Sequence, residues 1–122
     1  PSGHLEITIQ GEIKFSIRDQ YESAERLMLA QVEFLPLEDE HPIPANKQHL
    51  VSLLESLTQH DAVQSLYFDV DYEDARDVGA RLAELLPCSN DFKQKMLELK
   101  NAEARLGELE KLILKMQSAP PR

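Results

Sequence analysis

The sequence has few of the groups that covalent chemistry requires. It has one cysteine, Cys88, no tryptophan and four glycines in 122 residues. One thiol cannot form an internal disulfide, and without a histidine partner pattern Cys88 is expected to be a small, inert apolar group. The glycines form no GxxxxGKS or GxxxxGKT phosphate loop, and no GxSxG elbow occurs. These absences exclude a P-loop ATPase and an elbow-type serine hydrolase, so we predict no catalytic residue and no cofactor.

Basic residues are outnumbered by acidic ones. The chain has 13 Lys and Arg against 22 Asp and Glu, a formal charge of −9. This charge repels phosphate backbones and anionic lipids, so we predict neither nucleic-acid nor membrane binding. No apolar run approaches the ~20 residues of a membrane span, and no signal peptide is evident. A cytoplasmic location is therefore expected.

The acids and histidines do not form a metal motif. Four histidines are present: His4, His41, His49 and His60. They show no i,i+4 pair, whereas a zinc site needs three or four converging ligands. Residues 69–80 follow a calcium-loop spacing in part, but Asp74 stands where that loop needs Gly and Ala80 where it needs Glu. We predict no metal site and interpret these acids as the start of a helix.

The first part of the chain alternates as β-strands do. Residues 5–9 and 13–17 carry apolar side chains at odd positions on both sides of Gly11. This favours one strand kinked or bulged at Gly11, with a hairpin there as the alternative. Residues 18–26 predict a loop and 27–35 a second, antiparallel strand, with Met28, Ala30, Val32 and Phe34 on one face. Two strands alone are marginally stable, so the sheet is expected to continue in residues that this sequence does not contain.

The rest of the chain has helical periodicity. After a proline-bearing, acidic link over residues 36–45, the apolar spacing changes from two to about 3.6 residues. Four helices are predicted, at 46–59, 73–86, 90–99 and 102–116. Asn46, Ser89 and Asn101 are the expected N-caps, and Pro87 is expected to end the second helix. The third helix is expected to bury Phe92, Met96, Leu97 and Leu99. The fold class is therefore α+β.

The order of these motifs resembles the Lon substrate-binding domain, the N-terminal domain of Lon proteases that also occurs as a stand-alone bacterial protein. The matching segments are HLEITIQGEIKFSI, LMLAQVEFLPLEDEHPIP, LAELLP, KQKMLE and RLGEL. Two positions differ, since Lys14 and Asn101 stand where the family more often has Arg and Asp. The residues that match as a structural signature are Gly11, Phe15, Leu82, Leu85, Pro87, Leu97, Arg105 and Leu106.

The resemblance implies a non-catalytic domain that recognises unfolded or tagged protein substrates, with a protease or chaperone as a possible partner. It implies that residues 1–40 are the C-terminal portion of an incomplete PUA-like antiparallel β part, followed by a helical bundle over 41–117 and a disordered tail over 118–122. Because PUA-like folds also bind RNA and small molecules, those are the alternatives. A contact with polypeptide is placed on Leu27, Leu29 and Leu35, unless further strands cover these leucines.

Overall fold

A computed structural model of the chain describes residues 3–64 and 69–118. Its elements are β1 Phe15–Glu22, β2 Met28–Phe34, α1 Gln48–Thr58, α2 Asp61–Gln64, α3 Ala75–Leu85, α4 Asn90–Glu98 and α5 Ala102–Gln117. The α+β class is confirmed. The four predicted helices are α1, α3, α4 and α5, and the one-turn helix α2 is an additional element after α1. The chain forms two compact units, Pro1–Leu37 with both strands and Glu38–Arg122 with the helices.

The two strands form an antiparallel hairpin. Their register runs from the pair Phe15–Phe34 to the pair Glu22–Met28, with a bulge between Ile17 and Asp19. The turn is closed by two backbone bonds, from Ser23 N to Leu27 O at 2.8 Å and from Arg26 N to Ser23 O at 2.9 Å. Arg26 has a φ of 62°, the left-handed conformation that such a tight turn requires.

Two strand predictions are wrong. Residues 5–9 lie outside any strand, and Leu5, Ile7 and Ile9 are 91%, 79% and 86% exposed. Alternation alone does not make a strand, because a strand needs a backbone partner, and none pairs with this segment among the described residues. Residues 4–14 form no strand, so neither the bulge nor the hairpin expected at Gly11 is formed.

The loop predicted at 18–26 is shorter than expected. β1 continues through residues 18–22, because β2 supplies backbone hydrogen bonds whatever the polarity of the side chains. The bulge after Ile17 shifts the alternation by one residue, so Tyr21 no longer faces the side that Phe15 and Ile17 share. That shift hides the second half of β1 from a period-two pattern in the sequence.

Side-chain caps set most of the helix starts. Ser89 Oγ accepts a hydrogen bond from Phe92 N at 3.1 Å, and Asn101 Oδ1 accepts one from Ala104 N at 3.0 Å, which confirms both predicted caps. The N-cap of α3 is Asp74. Asn46 is not a cap, because Ala45–Lys47 form a 3₁₀ turn closed by Lys47 N and Pro44 O at 2.9 Å. Pro87 follows the end of α3, as predicted.

The core of the helical unit lies between α1, α3, α4 and α5. Its most buried side chains are Leu50, Leu54, Val78, Leu82, Met96, Leu106 and Leu109. The prediction that Leu97 is buried is wrong, since its side chain is 52% exposed. Adjacent helical residues point about 100° apart, so once Met96 faces the core Leu97 cannot. Phe92 and Leu99 are partly buried at its margin, as is Leu85.

Candidate functional site

The hairpin brings four apolar side chains together on one side. Phe15 pairs with Phe34 and Ile17 pairs with Val32, and side chains of paired residues lie on the same face of a sheet. We call these four residues the apolar hairpin face. Met28 lies on the same face at the turn end of β2, because it is an even number of residues from Val32. The even-numbered side chains of β2 therefore share one face, as the alternation of residues 27–35 predicts.

The apolar hairpin face is open to solvent. Phe15 is 51% exposed, Ile17 57%, Val32 37% and Phe34 67%. Single exposed apolar residues are common on proteins, but contiguous ones mark interaction sites more often. Burying one such side chain in full contributes about 1.5–3 kcal/mol. Four adjacent ones can therefore contribute substantially to binding an apolar partner.

The opposite face of the hairpin is more polar. Arg18 Nε donates to Glu33 Oε2 at 2.6 Å, and both side chains are largely exposed. Tyr21 pairs with Leu29 near the turn, where they are 50% and 36% exposed. This face thus has one ion pair and a small apolar end. The other face is apolar along β2, with Gln20 and Glu22 of β1 beside Ala30 and Met28 near the turn.

The leucines proposed as contacts are separated in the structure. Leu27 lies at the turn and is 62% exposed, Leu29 lies on the polar face, and Leu35 is partly buried just beyond β2. They do not form one patch. The sequence favours them because they are the apolar side chains on the second face of the strand predicted over residues 27–35. The larger patch requires the register between the strands, which residue types alone do not provide.

The signature residues divide between the two units. Gly11 is exposed and Phe15 belongs to the apolar hairpin face. In the helical unit, Leu82 and Leu106 are fully buried, Leu85 is partly buried, Pro87 and Leu97 are exposed, and Arg105 is 4% exposed. Most of the helical members therefore serve packing.

Arg105 organises the link that precedes the helices. Its Nη1 and Nη2 donate to the two carboxylate oxygens of Glu38 at 3.0 and 2.9 Å. Its Nε donates to Met96 O at 3.0 Å, and Nη2 also donates to Leu99 O at 2.5 Å. One guanidinium therefore ties Glu38 to the end of α4. Its fork of donors suits this bidentate geometry, which a lysine cannot reproduce.

A second arginine holds the same part of the link. Arg76 Nη1 donates to the backbone oxygen of Glu38 at 2.6 Å, and Arg76 Nη2 lies 2.6 Å from Asp74 Oδ2. The hydrogen bond from Arg76 holds the pKa of Asp74 below its usual value, against the opposing effect of burial. The sequence does not single out Glu38, because nothing distinguishes it from Asp39 and Glu40 beside it.

A smaller ion cluster joins α5 to the start of α1. Lys47 Nζ lies 2.6 Å from Glu110 Oε1, and His49 Nε2 lies 2.8 Å from Glu110 Oε2. The hydrogen bond from Lys47 lowers the pKa of Glu110. These two pairs connect α5 to the start of α1, and Glu110 is the common partner of Lys47 and His49.

The acids between α2 and α3 act as local caps. Asp71 Oδ1 accepts from Glu73 N at 3.0 Å, and Asp77 Oδ2 accepts from Asp71 N at 2.6 Å.

Over residues 3–64 and 69–118, no group of three or more His, Cys, Asp or Glu side chains is placed to hold a metal ion. Cys88 is partly buried, and its Sγ lies 3.8 Å from Ala83 O. In the same ranges, no helix is both long and apolar enough to cross a membrane.

Comparison with known proteins agrees with this architecture. Residues 1–115 match the family model of the ATP-dependent protease La (LON) substrate-binding domain. No curated protein matches the sequence. The fold is similar to the crystal structure of a Lon N-terminal domain protein from Xanthomonas campestris, with a TM-score of 0.68 and 21% identity. The match covers 91% of this chain and 55% of that one, so this chain spans about half the length of that protein.

Proposed function

Because the chain belongs to the ATP-dependent protease La (LON) substrate-binding domain family, we propose that it recognises unfolded or tagged polypeptides for a partner protease or chaperone. A substrate-binding domain of this family is non-catalytic by itself, and its general role is to bind protein substrates. What we propose beyond this general role is that the client is unfolded or tagged and that the partner is a protease or chaperone. A cytoplasmic location stays a prediction.

The observation that carries this proposal is the exposed apolar hairpin face. Folded proteins bury most large apolar side chains, whereas unfolded chains present them to solvent. A surface of two aromatic and two β-branched residues offers such chains a place to bury them without requiring one sequence.

We keep the division of the chain as part of the proposal. Residues 1–40 would belong to the PUA-like β part, 41–117 would form the helical bundle, and 118–122 would be the tail. Ser118 caps α5, and the rest of that tail lies outside the described residues. RNA binding is disfavoured by the charge of −9. No observation favours a small-molecule ligand.

The test is binding of a fluorescently labelled, permanently unfolded polypeptide, followed by anisotropy, with the folded form of the same polypeptide as control. We expect micromolar affinity for the unfolded form and at least about tenfold weaker binding of the folded form. Replacing Phe34 with Ser should weaken binding about tenfold, because one buried aromatic contributes ~1.5–3 kcal/mol. Equal binding of both forms would contradict the proposal.

Two matched variants separate the hairpin from the rest of the surface. Met28→Ser and Leu114→Ser each replace one large apolar side chain, 64% and 58% exposed, the first on the same side as the apolar hairpin face and the second on α5. We expect Met28→Ser to weaken binding and Leu114→Ser to leave it unchanged. An equal loss in both variants would place the contact elsewhere. If Leu27→Ser and Leu29→Ser together unfold the hairpin, those leucines serve packing, and Phe34→Ser becomes the deciding variant.

A further inference from the structure

The first residues of the helical unit form a strap that is tied to two helices. The strap is defined as residues 38–43, which form neither a helix nor a strand. At its start, Glu38 accepts two hydrogen bonds from Arg105 on α5, at 3.0 and 2.9 Å. Near its end, Pro42 forms an isolated antiparallel bridge with Asp74, the N-cap of α3. The strap is therefore attached to α5 at one end and to the start of α3 at the other.

Backbone groups of the strap complete the start of α3. Arg76 Nη1 donates to Glu38 O at 2.6 Å, and Ala75 N donates to His41 O at 2.7 Å. The N–H groups of the first helical turn have no acceptor within their own helix. Ala75 is the first residue of α3, so its N–H relies on His41 O in the strap. Loss of this one hydrogen bond therefore reports that the strap has left α3.

The core gains little of its apolar packing from the strap. Its fully buried leucines, such as Leu50, Leu82 and Leu106, lie on the helices. Ile43 of the strap packs against this core but is only partly buried. Segments that bury little apolar surface open at a lower free-energy cost than the core does. Polar bonds, those of Glu38 above all, therefore hold the strap in place, and the helices can stay packed without them.

We propose that the strap detaches from the helical unit as one piece while the helices stay folded, and that the pair between Glu38 and Arg105 holds it closed. Glu38 anchors the strap twice, through its carboxylate on Arg105 and through its backbone oxygen on Arg76. When the pair breaks, both anchors are released together, and the bond from Ala75 N to His41 O loses its support. Arg105 keeps its bonds to two backbone oxygens, and water replaces the carboxylate, so opening leaves no buried unpaired charge.

Opening of the strap changes how much free chain precedes α1. In the closed state, residues 38–43 follow one path that their bonds to α3 and α5 fix. In the open state they are free to extend by up to ~3.3–3.6 Å per residue, or about 20 Å in total. The strap is thus a conformational device that lengthens or shortens the tether between β2 and α1.

Hydrogen exchange of single amides in the intact protein, followed by NMR with and without low urea, tests whether the strap opens by itself. Local opening exposes little surface, so urea hardly affects its rate, whereas opening of the whole unit depends steeply on urea. We expect the Ala75 N–H to exchange by the local route, at least about tenfold faster than the core amides of Leu82 and Leu109 after correction for intrinsic rates. Equal protection and equal urea dependence would overturn the separate opening of the strap.

Two matched variants test the part that Glu38 plays. Glu38→Gln and Glu40→Gln make the same change two residues apart, and the Glu40 side chain is 87% exposed with its carboxylate 3.8 Å from Arg76. We expect Glu38→Gln to speed exchange of the Ala75 N–H at least about tenfold, because hydrogen bonds between charged groups are the strong ones. Glu40→Gln should change it less than about twofold, since exposed ion pairs contribute little. Equal effects would overturn the assignment of Glu38 as the closing contact.

Proteolysis tests whether the strap moves as one piece. A glutamate-specific protease needs several free residues around the bond between Glu40 and His41, and slow cleavage there follows the population of the open form. Arg105→Lys leaves the cleaved sequence unchanged but cannot form the bidentate pair. We expect it to speed this cleavage and the exchange of the Ala75 N–H by the same factor, within about twofold. An effect on one readout alone, or on neither, would overturn the proposal, and Glu38→Gln takes its place if Arg105→Lys does not fold.

Discussion

Arg105 on α5 and Glu38 in the link form a bidentate ion pair across 67 residues of sequence. The arginine side chain is 5% exposed and the glutamate side chain 17% exposed. Two backbone oxygens, those of Met96 and Leu99, accept further hydrogen bonds from the guanidinium. A buried charge is tolerated when it is paired and hydrogen-bonded, and Arg105 has a carboxylate partner and four hydrogen bonds.

Removing this arginine should destabilise the helical unit strongly. Arg105→Ala leaves the Glu38 carboxylate without its partner and removes the donors of two carbonyl groups. We expect the free energy of unfolding to fall by about 3–5 kcal/mol, measured by urea denaturation followed by circular dichroism at 222 nm. Arg105→Lys should recover only part of the loss, because an ammonium group cannot form the bidentate fork.

Lys111→Ala is the control for that substitution. Lys111 lies on the same helix and pairs with Glu108, but its side chain is 76% exposed. Such a pair contributes ~0.2–1 kcal/mol, so the variant should be nearly as stable as the parent chain. A loss for Arg105→Ala as small as that for Lys111→Ala would show that the ion pair is not a main support of the link.

The sequence predicts local features of this fold better than pairings between distant residues. A cap side chain binds a backbone N–H only three residues later in the chain. The predicted caps at Ser89 and Asn101 are both confirmed. Whether residues 5–9 form a strand depends on a partner elsewhere, and the alternation alone gave the wrong answer. Glu38 is chosen from a run of acids by the position of Arg105, 67 residues away, which no local pattern encodes.

The candidate surface shows the same division. The alternation of Met28, Ala30, Val32 and Phe34 is legible in the sequence, and the structure confirms it. Its pairing with Phe15 and Ile17 depends on the register and on the bulge that follows Ile17. Because of these two features, the apolar hairpin face lies on the other side of the hairpin from Leu29, one of the leucines predicted as contacts.

The N-cap of α5 gives a second prediction. Asn101 Oδ1 satisfies the N–H of Ala104, which has no acceptor within the helix. We expect Asn101→Ala to lower the free energy of unfolding by about 1 kcal/mol and Asn101→Asp to preserve it. Ser52→Ala, an exposed change inside α1, is the control and should cause no loss because alanine has the higher helix propensity. A stable Asn101→Ala variant would contradict a role for the cap.

The Asp74 carboxylate gives a prediction on pH. Arg76 lowers the pKa of Asp74 in the folded chain, so its ionised form contributes stability above the unfolded pKa of about 3.9. That stability is lost as the pH falls through the lower, folded value. Asp74→Asn keeps an oxygen that can cap α3 but removes the charge. We expect the variant to be less stable than the parent at pH 7, with the difference shrinking below about pH 4.

Chemical denaturation at pH 7 and pH 3 measures this difference. Glu55→Gln is the control, because Glu55 is exposed in the middle of α1 and such surface changes are usually within about 0.5 kcal/mol. A stability difference for Asp74→Asn that is the same at both pH values would mean that the cap, and not the ion pair, accounts for it.

Two glycines in helices give opposite expectations for the same substitution. A Cβ at Gly107 on α5 would meet nothing within 4 Å, so Gly107→Ala should stabilise the unit by about 0.5–1 kcal/mol through helix propensity.

A Cβ at Gly79 on α3 would lie 3.3 Å from Arg105 Cδ, whose guanidinium is held by Glu38. Because that stem cannot easily move, overpacking of about 1–3 kcal/mol should exceed the propensity gain. We therefore expect Gly79→Ala to be destabilised in urea, and to become stabilising when combined with Arg105→Ala, which removes the stem. A stabilised Gly79→Ala variant with Arg105 intact would show that the guanidinium and its stem can shift, and that the Arg105–Glu38 pair is less rigid than its geometry implies.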